Sequence, residues 1–129
     1  MSRVLIIDDE PTTTTVLQEM FTGTPFEVVT ANSGERGIEI IRQQDIDAVV
    51  LDLVMPGMNG WEVCRAIRAF SQVPILILSA VTGSDGVLRI LNEGANDYLV
   101  KPVPRNVLIS HVRMLTKQAQ LGTTHTKPH

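Results

Sequence analysis

Short apolar runs recur along the chain at regular intervals. They are VLII at residues 4–7, FEVV at 26–29, AVVL at 48–51, ILIL at 75–78 and YLV at 98–100. Most are β-branched and continuous rather than alternating. A continuous run suits a strand covered on both faces, as in a parallel sheet, because a strand with one wet face alternates apolar and polar residues. This repetition constrains the fold more than any other feature of the sequence.

The segments between the runs have helical spacing. Trp61, Cys64 and Ile67 fall on successive turns, with Ala66 and Phe70 beside them. Leu88, Leu91 and Ala95 repeat at three and four, as do Leu108, Val112 and Leu115, which is the spacing of one helix face. Ile38 and Ile41 share a face from which Arg36 and Glu39 are turned away. Pro11 suits the first turn of a helix, and Gly23-Thr24-Pro25 closes that helix. Asn32-Ser33-Gly34 and Pro56-Gly57-Met58-Asn59 mark the turns before the second and third helices. The run Thr12 to Thr15 is weak as helix, since β-branched side chains lose χ1 freedom there, and it reads as a solvated first turn. The result is an α/β chain, βα repeated five times. Right-handed crossovers then give one sheet with helices on both faces.

With 129 residues, 43% of them hydrophobic, one domain with a sizeable core is expected. The domain is placed at residues 1–121. Residues 122–129, GTTHTKPH, read as a disordered tail or linker stump that carries His125 and His129. A formal net charge of −3 without a basic run argues against direct nucleic-acid binding. The N-terminal apolar stretch is too short for a signal peptide or membrane span, so a soluble cytoplasmic protein is expected. The single cysteine, Cys64, cannot form an intramolecular disulfide and reads as a small core residue.

Ligands of an open parallel sheet bind beyond the carboxyl ends of its strands. Asp8, Asp9 and Glu10 follow the first run, Asp52 the third, Ser79-Ala80 the fourth and Lys101-Pro102 the fifth. If strands one, three, four and five are neighbours, these groups converge. Three carboxylates together repel unless a cation compensates, and Mg²⁺ takes one or two carboxylates plus phosphate oxygens. Lys101 adds a fixed positive charge on the other flank, and Ser79 adds a hydroxyl. Such a set suits a phosphoryl group. Asp52 is the candidate nucleophile, because carboxylates form aspartyl phosphates and its strand lies between the acid pair and the lysine.

The motifs IIDDEP, VVLDLVMPGMNG, ILSA and GANDYLVKP together resemble the receiver domains of two-component response regulators, from about Val4 to Leu115. The resemblance implies a flavodoxin-like doubly wound sheet of strand order 2-1-3-4-5. It implies that Asp52 accepts a phosphoryl group from a phosphohistidine on a sensor histidine kinase or phosphotransfer protein. Asp8, Asp9, Asp52 and the Val54 backbone carbonyl are implied to hold Mg²⁺ or Mn²⁺, with Asp9 the more direct of the acid pair. Lys101 is implied to bind a phosphoryl oxygen, with a cis bond to Pro102. Ser79 takes the place of the hydroxyl residue that moves to the phosphoryl group, small Ala80 leaves it accessible, and Tyr98 matches the aromatic that turns inward. That pair would couple the site to the surface of the fourth helix, fifth strand and fifth helix, where an output domain, a target protein or a second copy would dock. The implied role is a signalling switch, not an enzyme in the usual sense.

Two positions depart from the polar residues that orient water in relatives. Val54 and Val81 stand two residues beyond Asp52 and Ser79, and slow autodephosphorylation is expected. Val103-Pro104-Arg105 replaces the Phe and acidic residues common after the Lys-Pro pair, and Val87 and Ile90 are candidates for an exposed apolar partner surface. Two other readings compete. A flavodoxin-like cofactor module would need a Gly/Ser/Thr-rich phosphate cradle where the acidic DDEP stands. A metal-dependent phosphohydrolase would need a second acid just after the nucleophile, where Leu53 and Val54 stand.

Overall fold

The apolar runs form the strands β1 (Arg3–Ile7), β2 (Glu27–Ala31), β3 (Ala48–Leu51), β4 (Ile75–Ser79) and β5 (Asp97–Val100). Between and after them lie helices α1 (Pro11–Met20), α2 (Gly34–Gln43), α3 (Gly60–Arg68), α4 (Ser84–Asn92) and α5 (Arg105–His125). The structure is a computed structural model that describes residues 2–125. All strand pairs are parallel, in the order β2-β1-β3-β4-β5. The doubly wound topology expected from the sequence is therefore present.

Alternation along the strands explains why the runs had to be continuous. Leu5, Ile7, Val49, Leu51, Ile75 and Ile77 pack with Ile40 of α2, Val63, Cys64 and Ile67 of α3, and Ile90 of α4. Their neighbours Val4, Ile6, Ala48, Val50, Leu76 and Leu78 pack on the other face with Leu17, Phe21 and the α5 residues Leu108, Ile109, Val112 and Leu115. Successive side chains of a strand point to opposite faces, so two helical layers demand apolar residues at every position. Only β1, β3 and β4 are covered in this way. As the two edges of the sheet, β2 and β5 remain half-buried or exposed along most of their length.

Several helix faces differ from the sequence reading. In α4 the spacing points to Leu88, Leu91 and Ala95 as one inward face, yet Leu88 is 59% exposed and Leu91 39%. Ile90 fills the core instead and so is no part of the exposed partner surface for which the sequence made it a candidate, while Val87 is half-buried and Ala95 beyond the helix end is buried. Two apolar stripes overlap in this helix, and periodicity alone cannot choose between them. In α2, Ile40 is the fully buried apolar side chain, with Ile38 and Ile41 partly buried beside it. Thr14 is buried, so the threonine run is not wholly solvated. Phe70 lies just past α3 with the Arg42 guanidinium 4.0 Å above its ring centroid.

Cys64 is buried, as expected, and burial pushes its thiol pKa up, with Arg68 opposing and Glu93 adding to the shift. A thiol held protonated is a poor nucleophile. The α5 helix reaches His125, within the segment the sequence assigns to a tail, while residues 126–129, with His129, lie outside the described residues. No described helix is long and apolar enough to cross a membrane.

Candidate functional site

The strand register decides which chain ends meet. Ile7 is paired with both Ala31 and Leu51, Leu51 with Ile77, and Ser79 with Val100. The next residues therefore emerge along one edge of the sheet. Asp52 N–H donates to the Ile7 carbonyl at 3.1 Å, and Lys101 N–H donates to the Ser79 carbonyl at 2.9 Å, so both belong to extensions of the ladder. Carboxylate oxygens of Asp8, Asp9 and Asp52 lie within 4.8 Å of one another. The convergence inferred from strand ends is thus present.

Asp8 is the best-anchored member of the cluster. Its side chain is 3% exposed and receives Lys101 Nζ at 2.8 Å on Oδ2. Its Oδ1 accepts the Glu10 N–H at 3.0 Å. Asp9 is half-buried. Asp52 receives Lys101 Nζ at 3.4 Å and the Val54 N–H at the same distance. Lys101 therefore bridges two carboxylates across the site. Partial burial works against its ammonium, but the Asp8 hydrogen bond and the charges of Asp52 and Asp8 outweigh that penalty, and its pKa is raised. The bond from Lys101 to Pro102 is cis.

All three acidic side chains offer hard oxygen donors, and among the described residues no thiol or imidazole joins them in the cluster. Such a set fits a hard divalent cation rather than a soft one. Lys101 offsets only part of the charge of three clustered carboxylates.

Ser79 is fully buried, and its Oγ accepts the Val81 N–H at 3.3 Å. Tyr98 is half-buried against the α3/α4 side of the core, and its hydroxyl donates to the Val81 carbonyl. Burial raises the Tyr98 pKa, the Asp52 charge adds to this, and the nearby Ser79 hydroxyl opposes it. Ser79 and Tyr98 are therefore joined through the backbone of one residue, Val81.

The sequence gives little warning of three further supports. Asn32 Nδ2 donates to the Asp8 carbonyl at 2.9 Å and to Thr14 Oγ1 at 3.2 Å, pinning the acidic loop to α1. As a turn residue after an edge strand, Asn32 gave no signal beyond its position. Val81 acts through its backbone, which its apolar side chain cannot announce. At Gly60 a Cβ would lie 2.4 Å from the Asp52 carbonyl oxygen and 2.6 Å from Leu53 Cα. The N-terminus of α3 is thus pressed against the Asp52 loop, and a glycine in the MPGMNG turn was the only hint.

A family model described as the response regulator receiver domain matches residues 4–113. The transcriptional regulatory protein AfsQ1 of Streptomyces coelicolor is 39% identical over 96% of this chain and 55% of its own length. The DNA-binding response regulator MtrA of Mycolicibacterium smegmatis is 39% identical over 86% of this chain and 49% of its own. The chain spans about half the length of these curated relatives. Among solved structures, the chemotaxis protein CheY4 of Vibrio cholerae superposes with a TM-score of 0.84 at 28% identity, covering 89% of this chain and 98% of that one.

Proposed function

The chain belongs to the response regulator receiver domain family, and on that premise we propose that Asp52 accepts a phosphoryl group from a phosphohistidine of a partner kinase or phosphotransfer protein. The observation that carries this reading is Lys101 Nζ lying 2.8 Å from Asp8 and 3.4 Å from Asp52, at the edge of a three-carboxylate cluster. In the transfer, an Asp52 carboxylate oxygen forms the new O–P bond as the P–N bond to the donor imidazole breaks. The imidazole leaves with the electron pair and takes up a proton. Lys101 then turns from the carboxylates to a phosphoryl oxygen, where a positioned ammonium stabilises developing charge.

Asp8, Asp9, Asp52 and the Val54 carbonyl are the groups that would hold Mg²⁺ or Mn²⁺. When bound, the cation supplies positive charge to the phosphoryl oxygens. The chain's own carboxylates set its place, and Asn32 and Glu10 N–H hold Asp8 for that task.

Phosphorylation adds acceptor oxygens beside Ser79. We read the bond from Val81 N–H to Ser79 Oγ as the resting arrangement, and a bond from the Ser79 hydroxyl to the phosphoryl group as the alternative. Because Tyr98 is bonded to the same residue, a shift of the Val81 loop reaches the α4-β5-α5 surface. Leu88, Leu91 and Val100 are exposed there and suit an output domain, a target protein or a second copy. The domain works as a cytoplasmic signalling switch and turns over no separate substrate. Val54, 62% exposed, and half-buried Val81 offer no polar side chain to orient water, which favours a long-lived aspartyl phosphate.

Intact mass after incubation with acetyl phosphate tests the proposal. A gain of one phosphoryl group that needs Mg²⁺ and disappears in Asp52→Asn is expected. An unchanged gain in Asp52→Asn would refute it.

A further inference from the structure

We propose that the groove between the turn after α1 and the outer face of α5 is a binding site for a small molecule bearing a phosphomonoester or pyrophosphate group. The groove holds about 330 Å³ and is lined by Arg105, Asn106, Ile109, Ser110, Arg113 and Thr24, among others. Helical spacing makes the lining continuous. Arg105, Ile109 and Arg113 stand four residues apart, and Asn106 and Ser110 run alongside. Buried Ile109 adds an apolar side chain to the lining.

The charge here is not that of an ordinary solvated face. Elsewhere the arginines are occupied. Arg3, Arg36 and Arg65 pair with Glu27, Glu39 and Glu93. Arg68 donates to main-chain oxygens of Gly94 and Ser71 and to Asn96. Arg42 and Arg89 lie over the rings of Phe70 and Trp61. Among the described residues, Arg113 alone has no such partner. Arg105 has only the Thr22 carbonyl, 2.8 Å from Nη2, which fixes the guanidinium at the rim and leaves its other N–H groups free. Among the described residues no carboxylate lines the groove, and the α5 sequence contains no Asp or Glu, although the chain as a whole is net acidic. Among the described residues, the side chains of Asn106 and Ser110 make no hydrogen bond, so an amide and a hydroxyl are available beside the cations.

Two planar guanidinium forks with neutral donors between them match the several oxygens of a phosphate group better than the two of a carboxylate. A volume of this size takes a small ligand. Neither Asp52 nor Lys101 lines the groove, so the site is separate from phosphoryl transfer.

A backbone-amide NMR titration of the full chain with pyrophosphate, in low salt with EDTA, tests the proposal. Saturable shifts are expected at residues 22–24 and 105–113. Arg113→Gln should weaken binding about tenfold, as loss of a charge-assisted contact does. Lys117→Gln, outside the lining, should leave it nearly unchanged. Both residues are exposed, so folding is preserved in either variant. Absence of shifts in this region, equal affinity in Arg113→Gln, or equally tight binding of a short glutamate peptide would overturn it.

Discussion

Helices α3 and α4 are both nine residues long and flank the same core, yet they are held very differently. The start of α3 is closed by a capping box, in which Asn59 accepts from the Glu62 N–H and Glu62 accepts from the Asn59 N–H. Its residues Val63, Cys64 and Ile67 are fully buried, and Gly60 is pressed on the Asp52 loop. In contrast, Gly83, the N-cap before α4, provides no side-chain cap, and Ile90 is the only fully buried residue of the helix. Its other ties are at the edges, through Arg65 to Glu93 just beyond its end and Arg89 over Trp61. Few buried contacts and an uncapped start mark an element of low local stability. One helix is pressed against the Asp52 loop, and the other is held by few buried contacts.

Core truncations should separate the two helices most widely. Ile67→Ala in α3 is expected to cost about 2–5 kcal/mol in urea unfolding. Leu88→Ala on the open face of α4 should stay within about 0.5 kcal/mol. Similar losses in the two would break the comparison.

Next in size is the contact between α3 and the site. Gly60→Ala forces backbone to move away from a new methyl group, at about 1–3 kcal/mol. Because the clash is with the Asp52 carbonyl, phosphorylation by acetyl phosphate should slow as well. Asn59→Ala removes the cap at about 1 kcal/mol and should leave that rate nearly unchanged. Equal slowing in both variants would mean that Gly60 acts only through stability.

The smallest effect concerns pH. Lys101 has a folded pKa raised above its unfolded value of about 10.4. Its contribution is therefore complete below that unfolded value and is lost as pH rises through the folded one. Alkaline urea titrations should show stability falling in that window in the parent. The loss should be shallower in Lys101→Met, and identical slopes would contradict the bridging role.

Much of this was legible in the sequence because chemistry and register coincide. Three of the strands show their burial directly as continuous apolar runs, and Asp8, Asp52 and Lys101 sit where those strands and β5 end. What stayed hidden depends on backbone geometry and shared surfaces. The link through Val81 is made by its N–H and C=O, which every residue but proline possesses. The inward face of α4 could not be chosen between two interleaved apolar stripes, because an edge helix buries only one. The sequence places Thr14 in a solvated first helical turn and Asn32 in a turn, and only the fold shows that they meet over the acidic loop.

Peptide-resolved hydrogen exchange, with and without acetyl phosphate and Mg²⁺, tests the central claim most directly. Phosphorylation at Asp52 should alter exchange in residues 80–92 and around Tyr98, leave α3 unchanged, and have no effect in Asp52→Asn. A change centred on α3, or the same change in Asp52→Asn, would contradict it.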